Sequence, residues 1–534
     1  MSKVTDRLIK NFLEAEYRTP IDEILKVNAV IGKAAFVYEK VRNAIDYQEE
    51  HLIRKSAIYR ILKRKLLLEK VILENYLLDK YHHENLPKQL LQELIRGGYI
   101  RDKVPVQMVK VVDDIIQKYN VLLAKIKESE GKLTRKQWKY FLEMCSVEIE
   151  LAVIPPKKEK ALINAMFSVY NPRIKFKNQD ITDQEKELQA YLCCHRVLFK
   201  WDEAMLRTLL LGLYYPQWKK ADEATIGKIA NNIGKIVAEI DKQIAHPLKN
   251  QVQKVLQKKA IIFWIIQDIL ESEPKKAKQI FGDAELLEEE IKKQVHKRYK
   301  GVRVKLRRGV VRSIIYVFFT KMVLALALEF PMDWYLNGAI NYVSVAINIL
   351  FPPFLMFVVA ILIRMPKKEN TTKIVNEISQ IALKQNEGKM YELKPFHGRS
   401  KISRYIFNLI YGLTFLFSIM MIFTVLYKWG FNFFSSLIFV LFLTLVSFFG
   451  MRIRRPVQDL LAVERRESII GSIVDFFALP FVSMGRWMSG KFSKINVLAM
   501  FLDLIIEAPF KLLIEVFEDL FGFIREKKEE VMDD

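Results

Sequence analysis

Up to about residue 300, apolar side chains recur every three or four positions between charged ones; beyond residue 313 they fuse into long runs. The first pattern predicts amphipathic helices packed on one another, the second helices surrounded by lipid. In HLIRKSAIYRILKRKLLLEKVILENYLLDKYHHEN, residues Ile58, Ile61, Leu62, Leu66, Leu68, Ile72, Leu73 and Tyr76 keep helical spacing and predict one long helix. Pro87, the glycines Gly97 and Gly98, and Gly131 punctuate the next stretch, and Thr134 stands where it would cap a helix starting at Arg135. Ile226, Ile229, Ile233, Ile236 and Ile240 form a 3-4-3-4 seam that ends near Pro247 and reads as part of a helix hairpin. The apolar run IIFWIIQDIL is about half the ~20 residues a membrane span needs, so it predicts a buried core helix.

Four later runs, at about 313–330, 339–363, 405–427 and 431–450, are long enough to cross a bilayer. The expected fold class is all-α: a large cytoplasmic helical domain, a four-span transmembrane helical region, and C-terminal interfacial amphipathic helices. The expected boundaries are two cytoplasmic subdomains at 1–154 and 155–312, the spans at 313–450 with a cytoplasmic loop at 364–404, and a C-terminal region at 451–534. Pro155 and Pro156 in VIPPKKEK set the first boundary because neither continues a helix. Within the loop, Asn370, Thr371 and Thr372 are placed to cap a helix whose Ile374, Ile378 and Ile381 share a face, docking on the soluble domain or the membrane. Asp475, Pro480 and Arg486 interrupt the next apolar run, which therefore reads as re-entrant or interfacial instead of a fifth span. Farther on, Asp503, Glu507, Lys511, Glu515, Glu518 and Asp519 line one side of a helix that lies along an interface, either on lipid or against the basic cytoplasmic domain.

Charge narrows the choice of partner. The chain has 84 Lys and Arg against 61 Asp and Glu, a net charge of +23, which calls for an anionic surface. Lys297, Arg298, Lys300, Arg303, Lys305, Arg307, Arg308 and Arg312 crowd against the first span. There each basic side chain gains about 1 kcal/mol from anionic lipid headgroups. Only Tyr299 is at hand for base stacking, which argues against nucleic acid. By the positive-inside rule both termini and the 364–404 loop are cytoplasmic, with the nearly uncharged PMDWYLNG and KWG connectors outside. This places a multi-pass protein in the cell membrane, with a cytoplasmic protein partner and self-association as further expectations. The cysteines, Cys145 alone and Cys193 beside Cys194, form neither a disulfide framework nor a zinc-binding spacing.

No catalytic, metal or cofactor residue emerges. Aligning Gly131 with the glycine of a calcium loop puts Ile126 and Gln137 at the anchoring ligand positions. Gly234 follows Gly227 by seven residues, where a phosphate-binding loop needs five. His82 and His83 are adjacent, as are Cys194 and His195, and so point to different sides of a helix.

The remaining candidates lie inside the membrane: Lys321, Glu329, Asn341, Asn348, Pro352, Pro353 and Asp475. A lysine exposed to lipid at the depth of Lys321 costs about 2.5–3.5 kcal/mol, so either a partner or snorkelling from a shifted helix end is expected. In a regular helix Glu329 is two turns away, beyond the reach of an i,i+4 pair, which leaves Asp475 or Glu329 of a neighbouring copy. Consecutive prolines in mid-span leave the carbonyls of Asn348 and Ile349 without helical donors, as in broken helices that coordinate ions. Two functions lead, a scaffold or adaptor holding a basic helical domain at the membrane and an oligomeric channel or transporter using the polar spans; an enzyme acting on lipid is a third, with no nucleophile to nominate.

Overall fold

The computed structural model describes residues 1–15, 23–25, 36, 39, 49–72, 86–101, 104–176, 182–337, 342–383, 389–393, 401–462, 476 and 479–487. Helix dominates. Among the described residues, regular strand is confined to Ile174–Phe176, paired in parallel with Tyr391–Leu393. Two compact units form, one from Arg7–Leu256 with Met390–Leu393, the other from Met1–Asp6, Gln257–Lys389 and the described residues between 401 and 487.

In the first unit, helices Glu50–Ile72, Leu86–Arg96, Gln107–Glu130, Arg135–Val153 and Glu203–Tyr214 bury one continuous apolar core. Gly131 ends the third of these in the left-handed conformation, at φ 73°. Thr134 then caps the next: its hydroxyl accepts from the Gln137 amide at 3.2 Å while its own amide donates to the Gln137 side chain at 3.0 Å. This reciprocal arrangement contributes about 1 kcal/mol. The isoleucine seam is buried throughout, yet it belongs to two helices, Glu223–Asn231 and Ile233–Ile244. Asn232 divides them, its side chain donating back to the Lys228 carbonyl at 3.1 Å and competing with the helical ladder. Pro155 and Pro156 separate helix Arg135–Val153 from helix Lys157–Tyr170, and both helices lie within this unit.

In the second unit, Ala260–Ser272 is the buried helix that its apolar run foretold, with Ile261, Ile262, Phe263 and Ile265 fully enclosed. Asp283 caps a helix that runs unbroken from Ala284 to Leu324, 41 residues or about 60 Å. The first span is thus the far end of a longer helix instead of a separate element starting near 313. Arg298 anchors the near end, its guanidinium making two hydrogen bonds to Asp268 at 2.7 and 2.8 Å and facing the Trp264 ring. Helix Lys368–Leu383 docks on these helices through Ile374, Ile378 and Ile381, with Lys259 paired to Glu377. Asn370 is not its cap. It sits in the first turn, buried, donating to the Tyr299 hydroxyl and the Leu460 carbonyl and accepting from the Ala462 amide, so it ties together three segments distant in sequence.

Four helices are long and apolar enough to cross a membrane: Ala284–Met332, Tyr342–Leu362, Tyr405–Lys428 and Phe433–Gln458. They make this the chain of a multi-pass membrane protein. The fourth packs against the second at Gly450, where a Cβ would come within 2.8 Å of Val359. It also receives Gly485, where a Cβ would lie 2.4 Å from the Thr444 carbonyl oxygen. Small residues at both crossings let backbones approach closely, the usual means of helix association in lipid.

Candidate functional site

The polar residues of the first span do not form an i,i+4 pair, and yet they meet. Lys321 and Glu329 form an ion pair, and neither side chain has any solvent exposure. A π turn at Ala325–Glu329 brings them together. Such a turn holds one residue more than an α turn. Residues eight apart across it therefore stand like residues seven apart in a regular helix, about 20° from the same face and about 10 Å apart along the axis. Two long side chains close that distance. Pro331, just past the expected end of the span at 330, falls within helix Phe330–Asn337 directly after the π turn, and the helix continues through it.

Asn348 from the second span completes the cluster. Its Nδ2 donates to Glu329 Oε2 at 2.9 Å and to the Ser435 carbonyl of the fourth span at 3.3 Å. Both partners accept only, so the orientation of the amide is fixed by its neighbours. Asn348 Oδ1 is buried without a hydrogen-bond partner among the described residues. Phe442, also from the fourth span, lays its ring 5.0 Å from the Lys321 ammonium, adding a cation–π contact. Three of the four spans therefore converge on one neutralised pair. Removing either charge alone would strand the other in the bundle, a loss of about 3–5 kcal/mol for a buried pair.

Ser435 and Phe442 carry no charge and gave no signal in the sequence; their place in the site comes from packing. Pro352 and Pro353 lie inside helix Tyr342–Leu362, which carries through both, so two amide donors are lost without breaking the helix. Asn341 and Asp475 lie outside the described residues.

The basic juxtamembrane residues divide. Arg298 is held by Asp268, while Lys297, Lys300, Arg303, Lys305, Arg307, Arg308 and Arg312 are exposed around the long helix. At the same end of the bundle, Arg364 and Lys367 follow the second span and Arg452, Arg454 and Arg455 end the fourth, all exposed. The opposite end displays Trp334, Tyr335, Tyr342, Tyr427 and Trp429, the aromatic type that settles at a membrane–water boundary. Among the described residues, no cluster of His, Cys, Asp and Glu is arranged to hold a metal ion. Comparison with protein-family models, with curated proteins and with solved structures gives no match to this chain.

Proposed function

We propose that this protein is a membrane-anchored scaffold or adaptor that holds helical domains at the cytoplasmic face of the membrane. The continuous helix Ala284–Leu324 is the observation that carries this reading. Its Leu287, Ile291 and Val295 pack among the helices next to the membrane, and its Val317 and Lys321 pack inside the bundle. A single unbroken helix passes orientation from the anchor to the helices packed on its near end, which a flexible tether would not do. The sealed Lys321–Glu329 pair fits an anchor, because it fixes three spans to one another and presents no charge to solvent.

In this reading the basic end faces the cytoplasm, both termini and the 364–404 loop lie inside, and the exposed arginines and lysines engage anionic lipid. Site-directed labelling tests the arrangement. The native thiols are buried, and burial pushes Cys193 up to about 11 and Cys145 higher still, so they stay unreactive. A membrane-impermeant maleimide should label Trp334→Cys on intact cells and Lys300→Cys only after permeabilisation. Labelling of Lys300→Cys from outside would overturn the scaffold reading.

A second reading, an oligomeric channel or transporter, draws on one observation: the unpartnered Asn348 Oδ1 beside the ion pair. An orphan acceptor at that depth is costly, and such groups are retained where they serve a pathway. The complete burial of both charges weighs against it.

A further inference from the structure

The helical unit formed by Arg7–Leu256 holds a cavity of about 210 Å³ that the anchor reading leaves without a role. Helix Lys157–Tyr170 begins at its wall, directly after Pro155 and Pro156. Pro156 at the cap position has no amide, and no side chain caps the helix. A 14-residue helix presents the positive end of its dipole there. Three cations, Arg54, Lys157 and Lys158, line the same cavity, with Glu150 and Glu159 as the acids. Glu150 is taken up by Arg54, whose Nε and guanidinium NH2 donate to it at 3.2 and 2.9 Å.

A second, independent feature points to a ligand. His51 also lines the cavity, is only 8% exposed, and its Nε2 has no hydrogen-bond partner among the described residues. A buried ring nitrogen of this kind is normally satisfied, so its presence in a cavity wall marks a place for a polar guest.

We propose that this cavity binds a small oxyanion, phosphate or the phosphate group of a monoester, at the start of helix Lys157–Tyr170. Lys157, which is exposed, supplies a charge-assisted hydrogen bond, the helix dipole supplies further attraction, and His51 supplies a neutral hydrogen bond from the cavity wall. Glu159 acts against binding when ionised. Its pKa is pushed up to about 7, first by burial and then by Glu150, with Arg54 and then the Trp201 ring N–H opposing and Glu49 adding a smaller repulsion. The site therefore gains attraction for an anion as Glu159 takes up a proton.

Sulfate is the cleanest probe, since its charge does not change between pH 6 and 8. The full-length protein in detergent is titrated with sulfate against chloride at matched ionic strength, at about 5 mM, too dilute for general salting-out. Binding is read from the thermal midpoint and by calorimetry. The wild type should bind at pH 6 and lose affinity as the pH rises through 7. Glu159→Gln should keep the pH 6 affinity at pH 8, and Lys157→Gln, a change at an exposed position, should weaken binding about tenfold. Inorganic phosphate and glycerol phosphate as further arms separate the two sources: similar affinities mark a monoester site, preference for inorganic phosphate a free ion. No sulfate-specific binding by either the wild type or Glu159→Gln at pH 6 overturns the proposal, as does binding that Lys157→Gln leaves unchanged.

Discussion

Lys321 shows how far one residue's context can be read. Its need for a partner follows from the cost of an unpaired charge in lipid, but the partner does not, because the side chain that answers is eight residues away. The consequence is a strong coupling within one helix. Lys321→Met should lower stability in detergent by about 3–5 kcal/mol, since it removes the ammonium that neutralises the buried Glu329, and Lys321→Met with Glu329→Gln should recover most of that loss. The double-mutant cycle by thermal unfolding measures it, and additive losses would mean the pair is not coupled.

His51 provides a second residue-scale test. Burial, helped by Arg54, lowers its pKa from 6.5 to about 4. It is neutral when folded and would protonate more readily unfolded, so its contribution is complete above pH 6.5 and is lost as the pH falls toward 4. The loss is on the order of 3 kcal/mol. Glu159, raised to about 7, titrates in the opposite sense, and its contribution is lost as the pH rises. The His51 contribution is therefore the difference in pH dependence between the wild type and His51→Gln; parallel curves would contradict it.

At the scale of elements, the π turn is where the sequence pattern and the structure part. The segment ALALE has neither proline nor glycine, and its apolar composition suits an α turn as well as a π turn. What selects the wider turn is the pair it aligns, an interaction set by the bundle and invisible to local propensity. Inserting one alanine after Ala327 should rotate Glu329 about 100° away from Lys321 and cost as much as losing the lysine. Deleting Ala327 should instead leave an ordinary helix with the two charges seven apart and the protein folded. Folded yield by size-exclusion chromatography checks both, and equal tolerance of insertion and deletion would contradict the alignment. Asn370 illustrates the same limit: its sequence position resembled a cap, whereas its three hydrogen bonds reach segments no local pattern connects to it. Thr134 was legible because its partner, Gln137, lies three residues away.

For the whole molecule, the helical class and four apolar helices were legible from periodicity and run length, signals that depend on burial averaged over many residues. The site was legible only in part. Charged or amide residues in spans stand out by their cost, so Lys321, Glu329 and Asn348 were found, while Ser435 and Phe442 joined through packing alone. The anchor reading requires that these buried groups hold the spans together and conduct nothing. Flux through liposomes reconstituted with the wild type or Glu329→Gln, loaded with dyes for protons, sodium, potassium and chloride, tests that requirement most directly. The expected result is a leak equal to protein-free vesicles for the wild type; a wild-type flux that Glu329→Gln abolishes would contradict the anchor and make the intramembrane cluster a pathway.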